Sequence, residues 1–555
     1  LWLKFAVAGG GLFLMIFFLV TGMGNEQQSA LQLVNERPLT SLKGASFKGQ
    51  LSKDGTNLLF IRRDKLNINA QVWLKSDETP ARAVTDDSSY YTYVIHGDND
   101  QAFATRFNNL NDRECDIVRI DLITGKTEPI FQCAERAFTF LAYDSKKNTL
   151  YFNYRRDLQT PFSIFSYQIL TKRLQQLSFP SPHGNMRGDY QLALSPEANY
   201  LAILEYQNNS HATLKVLNLH TSQIESVKHG FDYQTVISWF DEQNLLMADT
   251  KGLHQHNIET DAMRLIQTNM DIGYVSVAPQ SNQVVFDKGE TIINLYRHTL
   301  DEEQPPQAMT NSSAANYYPQ YANRSLTSVY ISTDSGRQKL MIRTEEGKVI
   351  NSEFNGEIKH FSNVHWSPDD RFFVASINSQ LHKYDMQSKR WHRLLPERHN
   401  IHYVHVSDSN NLLFSSDETG DWQLWQLSLD TQLLSQLTHH GGYSVQGNVS
   451  MGQLYFSKFN QPGLYALNLI TGEETPVVPE HKITSWNQWE LRGQKLYYAL
   501  DNTLKQLDLN TSQVVTKLTF TERSPTYFSV SYDHRYIQRE VVEATDTNIW
   551  VLDIQ

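Results

Sequence analysis

The chain has 555 residues, of which 40% are hydrophobic and 12% aromatic, so it is long enough for two to four domains with packed cores. Charged residues make up 20% of the total and the net charge is −11, without long runs of one sign. This composition excludes a low-complexity chain. It also argues against nucleic acid as a partner of this part of the chain, because phosphate binding requires a basic face.

The first predicted element is a membrane-spanning helix. Phe5–Met23 carries no charged residue and approaches the ~20 residues that a helix needs to cross the hydrocarbon core of a bilayer. Lys4 precedes this run and Glu26 is the first charge after it, which predicts a cytoplasmic N-terminus and export of residues 26–555. The alternative is a cleaved signal peptide, since small residues occur at 20–22. The first residue is Leu1 and not Met, so we expect further cytoplasmic sequence upstream.

A strand–turn–strand element then recurs along the chain. Each copy has an apolar strand end, a turn rich in Ser and Asp, and a second strand of large apolar residues, as in Val364–Met386. Ser and Asp suit such turns because their side chains accept hydrogen bonds from backbone N–H groups two residues later. Other clear copies begin at Leu51, Leu194, Val406 and Val530.

A second element follows, a strand with period-2 alternation that ends in a Thr-Gly or Thr-Ser turn. Examples are Cys115–Gly125, Leu464–Gly472 and Leu504–Thr511. The turn element occurs twelve times at a mean spacing of about 43.5 residues, which is typical of four-stranded propeller blades.

The sequence therefore predicts an all-β fold, with two tandem six-bladed β-propellers after one N-terminal transmembrane helix. Propellers typically have 4–8 blades, so twelve repeats fit two rings better than one. The predicted domains are the anchor at 1–25, a first propeller at 26–304 and a second propeller at 305–555. The Pro305-Pro306 pair marks the boundary between the propellers.

Each ring needs a strand from elsewhere in the chain, because an open ring leaves sheet edges unpaired. The last repeat stops at its third strand, Ile549–Ile554, while 36–41 has the pattern of an isolated fourth strand. We expect 36–41 to close the blade that ends near Leu300. We expect 304–310 to close the blade that ends at Ile554.

Three stretches carry a family resemblance. The Ser-Pro-Asp-Asp turn at 367–370, Asn316–Tyr321 and Arg37–Ser41 resemble the TolB-type propeller repeat. One anchor followed directly by such repeats also resembles the exported half of membrane-bound CadC/ToxR-like winged-helix transcriptional regulators, whose DNA-binding domain would precede Leu1.

The resemblance implies a single-pass protein of the bacterial inner membrane, anchored in the bilayer through Phe5–Met23, with residues 26–555 in the periplasm. Its activity would be the sensing of a small ligand or a periplasmic protein, with homodimerisation left open. The alternative is an envelope scaffold like TolB itself.

Cys115 and Cys133 are the only cysteines in the sequence. They flank a hairpin whose turn centres on Thr124-Gly125, which places them nearly opposite each other, close enough for a disulfide that would persist after export. Two separate buried thiols are the alternative, since one bulge would spoil the pairing.

Two further groups of residues have side chains that suit binding sites. His399, His402 and His405 are spaced by three, but His402 and His405 fall on opposite faces of a strand, so we predict hydrogen-bonding residues and no metal or cofactor. Tyrosines crowd the connections into two blades, where ligands and partners usually dock on propellers. These candidate binding-face residues are Tyr90, Tyr91, Tyr93, Tyr317, Tyr318 and Tyr321.

Catalytic signatures are missing from the sequence. It contains no Gly-x-Ser-x-Gly, His-Glu-x-x-His, Gly-rich phosphate loop or Cys-x-x-Cys. We therefore predict a binding protein and not an enzyme. A propeller hydrolase is the third alternative, because catalytic residues scattered over loops would have no local spacing.

Overall fold

The computed structural model describes residues 31–555 except for short segments, and the predicted anchor at 1–25 lies outside the described residues. The segments left out are 32, 65–68, 77–78, 109–114, 135–138, 158, 182–186, 209–210, 233–234, 250–251, 269–272, 303, 397–399, 460, 482–486 and 521–524. Within the described part of the chain, no helix has the length and apolar character to cross a membrane.

The described residues form strands and two short 3-10 helices. The first half contains β1 (Leu33–Pro38), β2 (Ala45–Leu51), β3 (Asn57–Arg63), β4 (Gln71–Ser76), β5 (Arg82–Ala83), β6 (Tyr90–His96), β7 (Gln101–Phe107), β8 (Cys115–Asp121), β9 (Thr127–Gln132), β10 (Leu141–Asp144), β11 (Thr149–Tyr154), β12 (Ser163–Gln168), β13 (Arg173–Gln176), β14 (Asp189–Leu194), β15 (Tyr200–Asn208), β16 (His211–Asn218), β17 (Gln223–Phe231), β18 (Val236–Trp239), β19 (Asn244–Asp249), β20 (Gly252–Asn257), β21 (Met263–Thr268), β22 (Val275–Ala278) and β23 (Gln283–Thr299).

The second half contains β24 (Gln307–Ala308), β25 (Asn316–Tyr321), β26 (Ser328–Ser332), β27 (Lys339–Arg343), β28 (Val349–Asn351), β29 (Phe361–Trp366), β30 (Phe372–Ile377), β31 (Gln380–Asp385), β32 (Arg390–Arg393), β33 (Ile401–Val406), β34 (Asn411–Ser416), β35 (Gln423–Ser428), β36 (Leu434–Gln436), β37 (Val445–Asn448), β38 (Gln453–Ser457), β39 (Leu464–Asn468), β40 (Glu474–Val478), β41 (Trp489–Arg492), β42 (Lys495–Leu500), β43 (Thr503–Asp508), β44 (Val514–Thr519), β45 (Phe528–Val530) and β46 (Tyr536–Ile554). The 3-10 helices are Asp334–Gly336 and Val449–Met451.

The strands assemble into repeated antiparallel sheets. In the described part of the chain, nine sheets consist of four consecutive strands each. The first strands of successive sheets contact one another in two closed cycles, which we call the first ring (β2, β6, β10, β14, β18 and β22) and the second ring (β25, β29, β33, β37, β41 and β45). The arrangement is propeller-like, and the predicted all-β fold of repeated four-stranded sheets is confirmed.

Burial follows the position of a strand in its sheet. The inner strands β29 and β33 are buried at every residue, whereas the outer strand β32 is exposed or half-buried throughout. The core lies between neighbouring sheets: Leu59 and Ile61 of one sheet pack with Val94 and Ala104 of the next. An inner strand is covered on both faces by adjacent sheets, which is why it is apolar without strict alternation.

The repeated Ser and Asp residues hold the turns between first and second strands. Ser367 Oγ accepts a hydrogen bond from Phe372 N at 3.1 Å and donates to Asp369 Oδ1 at 2.8 Å. Asp369 Oδ1 in turn accepts from Arg371 N at 3.2 Å. The same bonds recur around Ser52 and Ser531.

Two long strands join the rings. β23 and β46 pair antiparallel over their whole length, from Gln283 opposite Asp553 to Thr299 opposite Tyr536. In the first ring the strand order is β22–β23–β46–β1, and in the second ring it is β45–β46–β23–β24. Each long strand therefore belongs to the closing sheets of both rings.

The expected partners of the closing strands are wrong. β1 pairs with the end of β46, with Pro38 opposite Trp550, and not with the strand near Leu300. β24 pairs with β23, with Gln307 opposite Arg297, and not with Ile549–Ile554. The physical reason is the length of β23 and β46, which continue from one ring into the other, so their second halves lie outside the ring in which each strand starts.

Candidate functional site at the centre of the first ring

A polar cluster lies where the inner strands of the first ring meet, and a bulge in β2 positions it. The pairing of β2 with β3 shifts between Phe47 and Gln50, and Lys48 in the bulge has a left-handed backbone with φ of 55°. This conformation directs the Lys48 N–H to Asp287 Oδ2 of β23, at 2.7 Å. The bulge thus connects the first sheet of the ring to its closing sheet.

Two tyrosines and a glutamine form the middle of the cluster. Tyr93 of β6 and Tyr274, which precedes β22, are both buried, and their hydroxyl oxygens are 2.6 Å apart. Gln50 Nε2 donates to the hydroxyl of Tyr274 at 2.8 Å and to that of Tyr93 at 3.0 Å. Strands β2 and β6 and the residue before β22 therefore contribute to one hydrogen-bonded group.

The Lys48 side chain lies beside this group. Its Nζ donates to the carbonyl oxygen of Thr92 at 2.9 Å and lies over the rings of Tyr93 and Phe140, 5.6 and 5.5 Å from their centroids. An ammonium group has three N–H donors, and the bond to Thr92 uses one of them.

Burial favours the uncharged forms of Lys48 and Asp287. It lowers the pKa of Lys48 to about 8, against the opposing attraction of Asp287. It also raises the pKa of Asp287 to about 7, against the hydrogen bonds from the backbone N–H groups of Lys48 and Gly49. Asp287 Oδ1 has no hydrogen-bond partner among the described residues. Desolvation thus brings the pKa values of Lys48 and Asp287 close to neutral pH.

The second ring has related residues at four equivalent positions, with different hydrogen bonds. The bulge of β25 places Tyr318, with φ of 56°, where Lys48 lies in β2, and Tyr318 N donates to Glu540 Oε1 at 3.1 Å. Tyr527, which precedes β45, donates to Gln320 Oε1 at 3.2 Å. The equivalent pairs are Lys48 and Tyr318, Gln50 and Gln320, Tyr274 and Tyr527, and Asp287 and Glu540.

The two clusters differ in charge and in hydrogen-bond satisfaction. Glu540 accepts at both oxygens, because Thr526 Oγ1 donates to its Oε2 at 2.6 Å. The second ring also has an internal ion pair, with Arg492 Nη2 at 2.8 Å from Glu490 Oε1, and both side chains are buried. In the second ring both oxygens of Glu540 thus accept hydrogen bonds. In the first ring Lys48 Nζ bonds to a neutral carbonyl, and Asp287 Oδ1 has no hydrogen-bond partner among the described residues.

The predicted tyrosines are packed and do not form an open face. Tyr91, Tyr93 and Tyr321 are buried, and Tyr90, Tyr317 and Tyr318 are half-buried. The Tyr91 hydroxyl donates to Asp87 Oδ2 at 2.8 Å. Of the six, only Tyr93 lies in the cluster of the first ring and only Tyr318 in the equivalent cluster of the second.

The histidines of the spaced motif are held by different neighbours. His399 lies outside the described residues. The ring of His402 stacks on Tyr443, with centroids 4.6 Å apart, while His405 Nε2 is 3.0 Å from the carbonyl oxygen of Gly447. In the described part of the chain, no three His, Cys, Asp or Glu side chains are grouped as metal ligands would be.

Cys115 and Cys133 are joined by a disulfide, with Cα atoms 5.1 Å apart. Cys133 N donates to the carbonyl oxygen of Cys115 at 2.8 Å. This bond lies next to the pair Asp116 and Gln132, at the end of the ladder between β8 and β9. The disulfide ties the third and fourth strands of one sheet together, and its cysteines belong to the hydrophobic cluster that also contains Tyr93 and Tyr274.

Lys48, Gln50, Tyr274 and Asp287 belong to no spaced motif of the sequence. A signal for Tyr274 and Asp287 exists in an internal match, Tyr274-Val-Ser-Val277 against Tyr527-Phe-Ser-Val530, in which each tyrosine directly precedes the last inner strand of its ring. This match aligns Asp287 with Glu540, since 527 − 274 and 540 − 287 are both 253, but it does not align Lys48 with Tyr318, which are 318 − 48 = 270 residues apart. The equivalence of Lys48 and Tyr318 comes from the bulges of β2 and β25.

No protein-family model matches the sequence, and no curated protein matches it. Among solved structures, the extracellular domain of a putative one component system from B. thetaiotaomicron is 9% identical, with a TM-score of 0.30, and covers 94% of this chain and 82% of its own. TolB from Acinetobacter baumannii is 12% identical, with a TM-score of 0.31, and covers 57% and 82%. A nidogen/laminin complex is 11% identical, with a TM-score of 0.34, and covers 46% and 100%.

Proposed function

We propose that the described chain is the extracytoplasmic, ligand-binding part of a membrane-bound signalling protein, built as two six-bladed propellers of which the first holds the ligand. The observation that carries this proposal is the replacement of Tyr318 in the second ring by Lys48 at the equivalent position of the first. It places a half-buried cation where the second ring has a tyrosine, while both rings have a glutamine, a tyrosine and a carboxylate at the other three equivalent positions.

The hydrogen bonds of the cluster specify the chemistry of the ligand. The two N–H groups of Gln50 serve the two tyrosine hydroxyls, and the contact between Tyr93 and Tyr274 uses one of the two hydroxyl hydrogens. One hydroxyl hydrogen and two N–H groups of Lys48 remain for a ligand. Because a carboxylate accepts several hydrogen bonds and carries the complementary charge, the proposed ligand is a small carboxylic acid.

The same cluster connects to the strands that both rings share. Asp287 belongs to β23, two residues before Gly289, and receives the Lys48 N–H. Binding of an anion to Lys48 changes the charge beside Asp287 and so acts on a strand that continues into the second ring. This continuity supports a sensor more directly than it supports an envelope scaffold.

The resemblance to CadC/ToxR-like regulators extends the proposal to a DNA-binding domain before Leu1, with the stimulus sensed in the periplasm. We propose binding without turnover, so the ligand is recovered unchanged.

The test is calorimetric titration of the full chain in nanodiscs with a panel of small mono- and dicarboxylic acids. At least one acid should bind, and Lys48→Met should abolish its binding. Tyr318→Phe, at the equivalent position of the second ring, is the matched control and should leave the affinity unchanged. Absence of binding across the panel, or equal binding by the Lys48→Met variant, overturns the proposed site.

A further inference from the structure

A groove lies between two neighbouring sheets of the first ring, the sheet β10–β13 and the sheet β14–β17. Strands β11, β12 and β13 line it on one side, and the end of β16 with the turn that follows lines it on the other. Its volume is about 520 Å³, within the ~300–1,000 Å³ of small-molecule sites. None of the described residues that line it belongs to the central cluster around Lys48, so the groove is a separate place in the fold.

The register of three strands gives the groove one polar wall. Tyr151 of β11 lies opposite Ser166 of β12, and Ser166 lies opposite Gln175 of β13. The adjacent row consists of Thr149, Gln168 and Arg173. Because residues two apart on a strand share a face, both rows face the groove together.

The hydrogen-bonding capacity of this wall is only partly used. Tyr151 is 4% exposed, and its hydroxyl has no hydrogen-bond partner in the described part of the chain. Burial raises the pKa of this hydroxyl to about 12, so it is a neutral donor at pH 7. The side-chain amide of Gln175 is equally unpartnered among the described residues, and the amide of Gln168 is bonded only at its oxygen, which accepts from Thr171 Oγ1 at 2.5 Å. A buried hydroxyl without a partner is costly, so these groups favour a ligand that supplies the missing bonds.

The other side of the groove supplies apolar contacts. Leu217 and Leu219, at the end of β16 and after it, line this side, and Leu217 packs in the same hydrophobic cluster as Tyr151. Phe179, three residues after β13, adds an aromatic ring, and this side chain is 77% exposed. Sugars match this combination, because their hydroxyl groups both donate and accept hydrogen bonds while the C–H faces of their rings are apolar.

The charged side chains in the groove are basic. Lys147 and Arg173 are its cations, and no carboxylate side chain lies among the described residues that line it. Carboxylates do lie nearby, at Asp144, Glu197 and Glu225. Asp144 Oδ2 is 3.8 Å from Lys147 Nζ and offsets its charge.

The other two carboxylates have partners of their own, which leaves Arg173 without one. Glu197 Oε2 lies 2.8 Å from Lys146 Nζ, and Glu225 Oε1 accepts from Asn218 Nδ2 at 2.6 Å. Arg173 is exposed, and within the described ranges its guanidinium has neither a hydrogen bond nor an ion pair. A guanidinium binds a carboxylate through two parallel hydrogen bonds, so Arg173 favours an acidic sugar over a neutral one.

We propose that this groove binds a short acidic oligosaccharide. The carboxylate of one sugar lies on Arg173, and hydroxyl groups of the same or the next sugar bond to the Tyr151 hydroxyl and to the amides of Gln168 and Gln175. The site goes beyond the proposed function and does not depend on it, because the small carboxylic acid of that proposal binds at Lys48, in a different part of the ring.

The test is calorimetric titration of the full chain in nanodiscs with trigalacturonic acid and trimannuronic acid, and with cellotriose as the neutral probe. The variants are Arg173→Gln and Tyr151→Phe. Arg390→Gln is the matched control for the first, because Arg390 is also the exposed first residue of an outer strand, β32. Tyr330→Phe is the matched control for the second, because Tyr330 is the third residue of β26 as Tyr151 is of β11, and each is 4% exposed.

At least one acidic trisaccharide should bind, and cellotriose should bind at least about tenfold more weakly. Arg173→Gln should weaken binding by about tenfold or more and Tyr151→Phe by about fivefold, while both control variants keep the affinity of the unaltered chain. Absence of binding by both acidic trisaccharides, or equal affinities for Arg173→Gln and Arg390→Gln, overturns the proposed groove site. Equal affinity for cellotriose overturns the role given to the carboxylate. Binding that is lost in Lys48→Met but kept in Arg173→Gln places the sugar in the central cluster and overturns this inference alone.

Discussion

Gly289 and Thr547 are register partners in the ladder that joins the two rings, and their backbones pack without space for a side chain between them. A Cβ atom on Gly289 would lie 2.4 Å from Thr547 Cα and 2.3 Å from the carbonyl oxygen of Asp546. Thr547 N also donates to the carbonyl oxygen of Gly44 at 3.2 Å, so three backbone segments meet at this point.

Replacing Gly289 should therefore destabilise both rings. Gly289→Val should lower the free energy of unfolding by about 2–3 kcal/mol, because the obstructing atoms are backbone and cannot rotate away. Gly273→Ala is the control, since its Cβ would meet nothing nearer than Asp287 Cβ at 3.8 Å. Equal midpoints of urea unfolding for the two variants would contradict the close packing.

The shared strands should make the rings one cooperative unit. A fragment of residues 305–555 lacks Ile293–Thr299, the third strand of its closing sheet, and a fragment of residues 26–304 lacks the strand at the end of β46. Neither fragment should fold alone, while residues 31–555 should melt in a single transition. A soluble 305–555 fragment with its own sharp transition would show that the second ring closes without β23.

The disulfide should contribute mainly by restricting the unfolded chain. Cys115 and Cys133 are 18 residues apart, and closing a loop of that size stabilises by about 3 kcal/mol in the chain-entropy model. The double change Cys115→Ala with Cys133→Ala should lower the melting temperature accordingly. In isolated membranes, neither cysteine should react with an alkylating reagent before reduction. Reactive thiols at that stage would argue against both the bond and export.

Stability should fall in acid through buried His405. Burial, with a smaller contribution from Arg492, lowers the pKa of His405 to about 3. The unfolded chain, with an ordinary histidine pKa near 6.5, binds the proton first, so stability is lost as the pH falls from about 6.5 toward 3. At pH 4 the loss from this group is roughly 3 kcal/mol. His405→Gln should flatten the decline between pH 7 and pH 4, and an unchanged slope would show that His405 is protonated in the folded state.

The Ser-Asp turn of the second ring offers a local test. Ser367→Ala removes the acceptor for Phe372 N and a donor to Asp369, and should cost about 1 kcal/mol in the free energy of unfolding. Ser145→Ala, at an exposed serine of the corresponding turn in the first ring, should change stability by less than about 0.5 kcal/mol. Indistinguishable variants would mean that the turn is held by its backbone alone.

Features with a local cause were predicted from the sequence. The strands follow from alternation of apolar residues, and the turns from Ser and Asp side chains that bond to backbone groups within five residues, as at Ser367. The approach of Cys115 to Cys133 follows from one hairpin. The central cluster was missed because Lys48, Tyr93 and Asp287 are far apart in sequence and none belongs to a spaced motif.

By itself, the sequence determined the all-β class, the repeated four-stranded unit and the positions of its turns, because each depends on contacts within about 45 residues. Only the tertiary structure decided which strands close each ring. A strand edge offers the same backbone hydrogen bonds to any partner. The pairing of β23 with β46 is therefore selected by the length of both strands and by Gly289, which lets the two backbones approach closely because it has no side chain. The same long-range packing placed Lys48 beside Asp287, a meeting that no local pattern encodes.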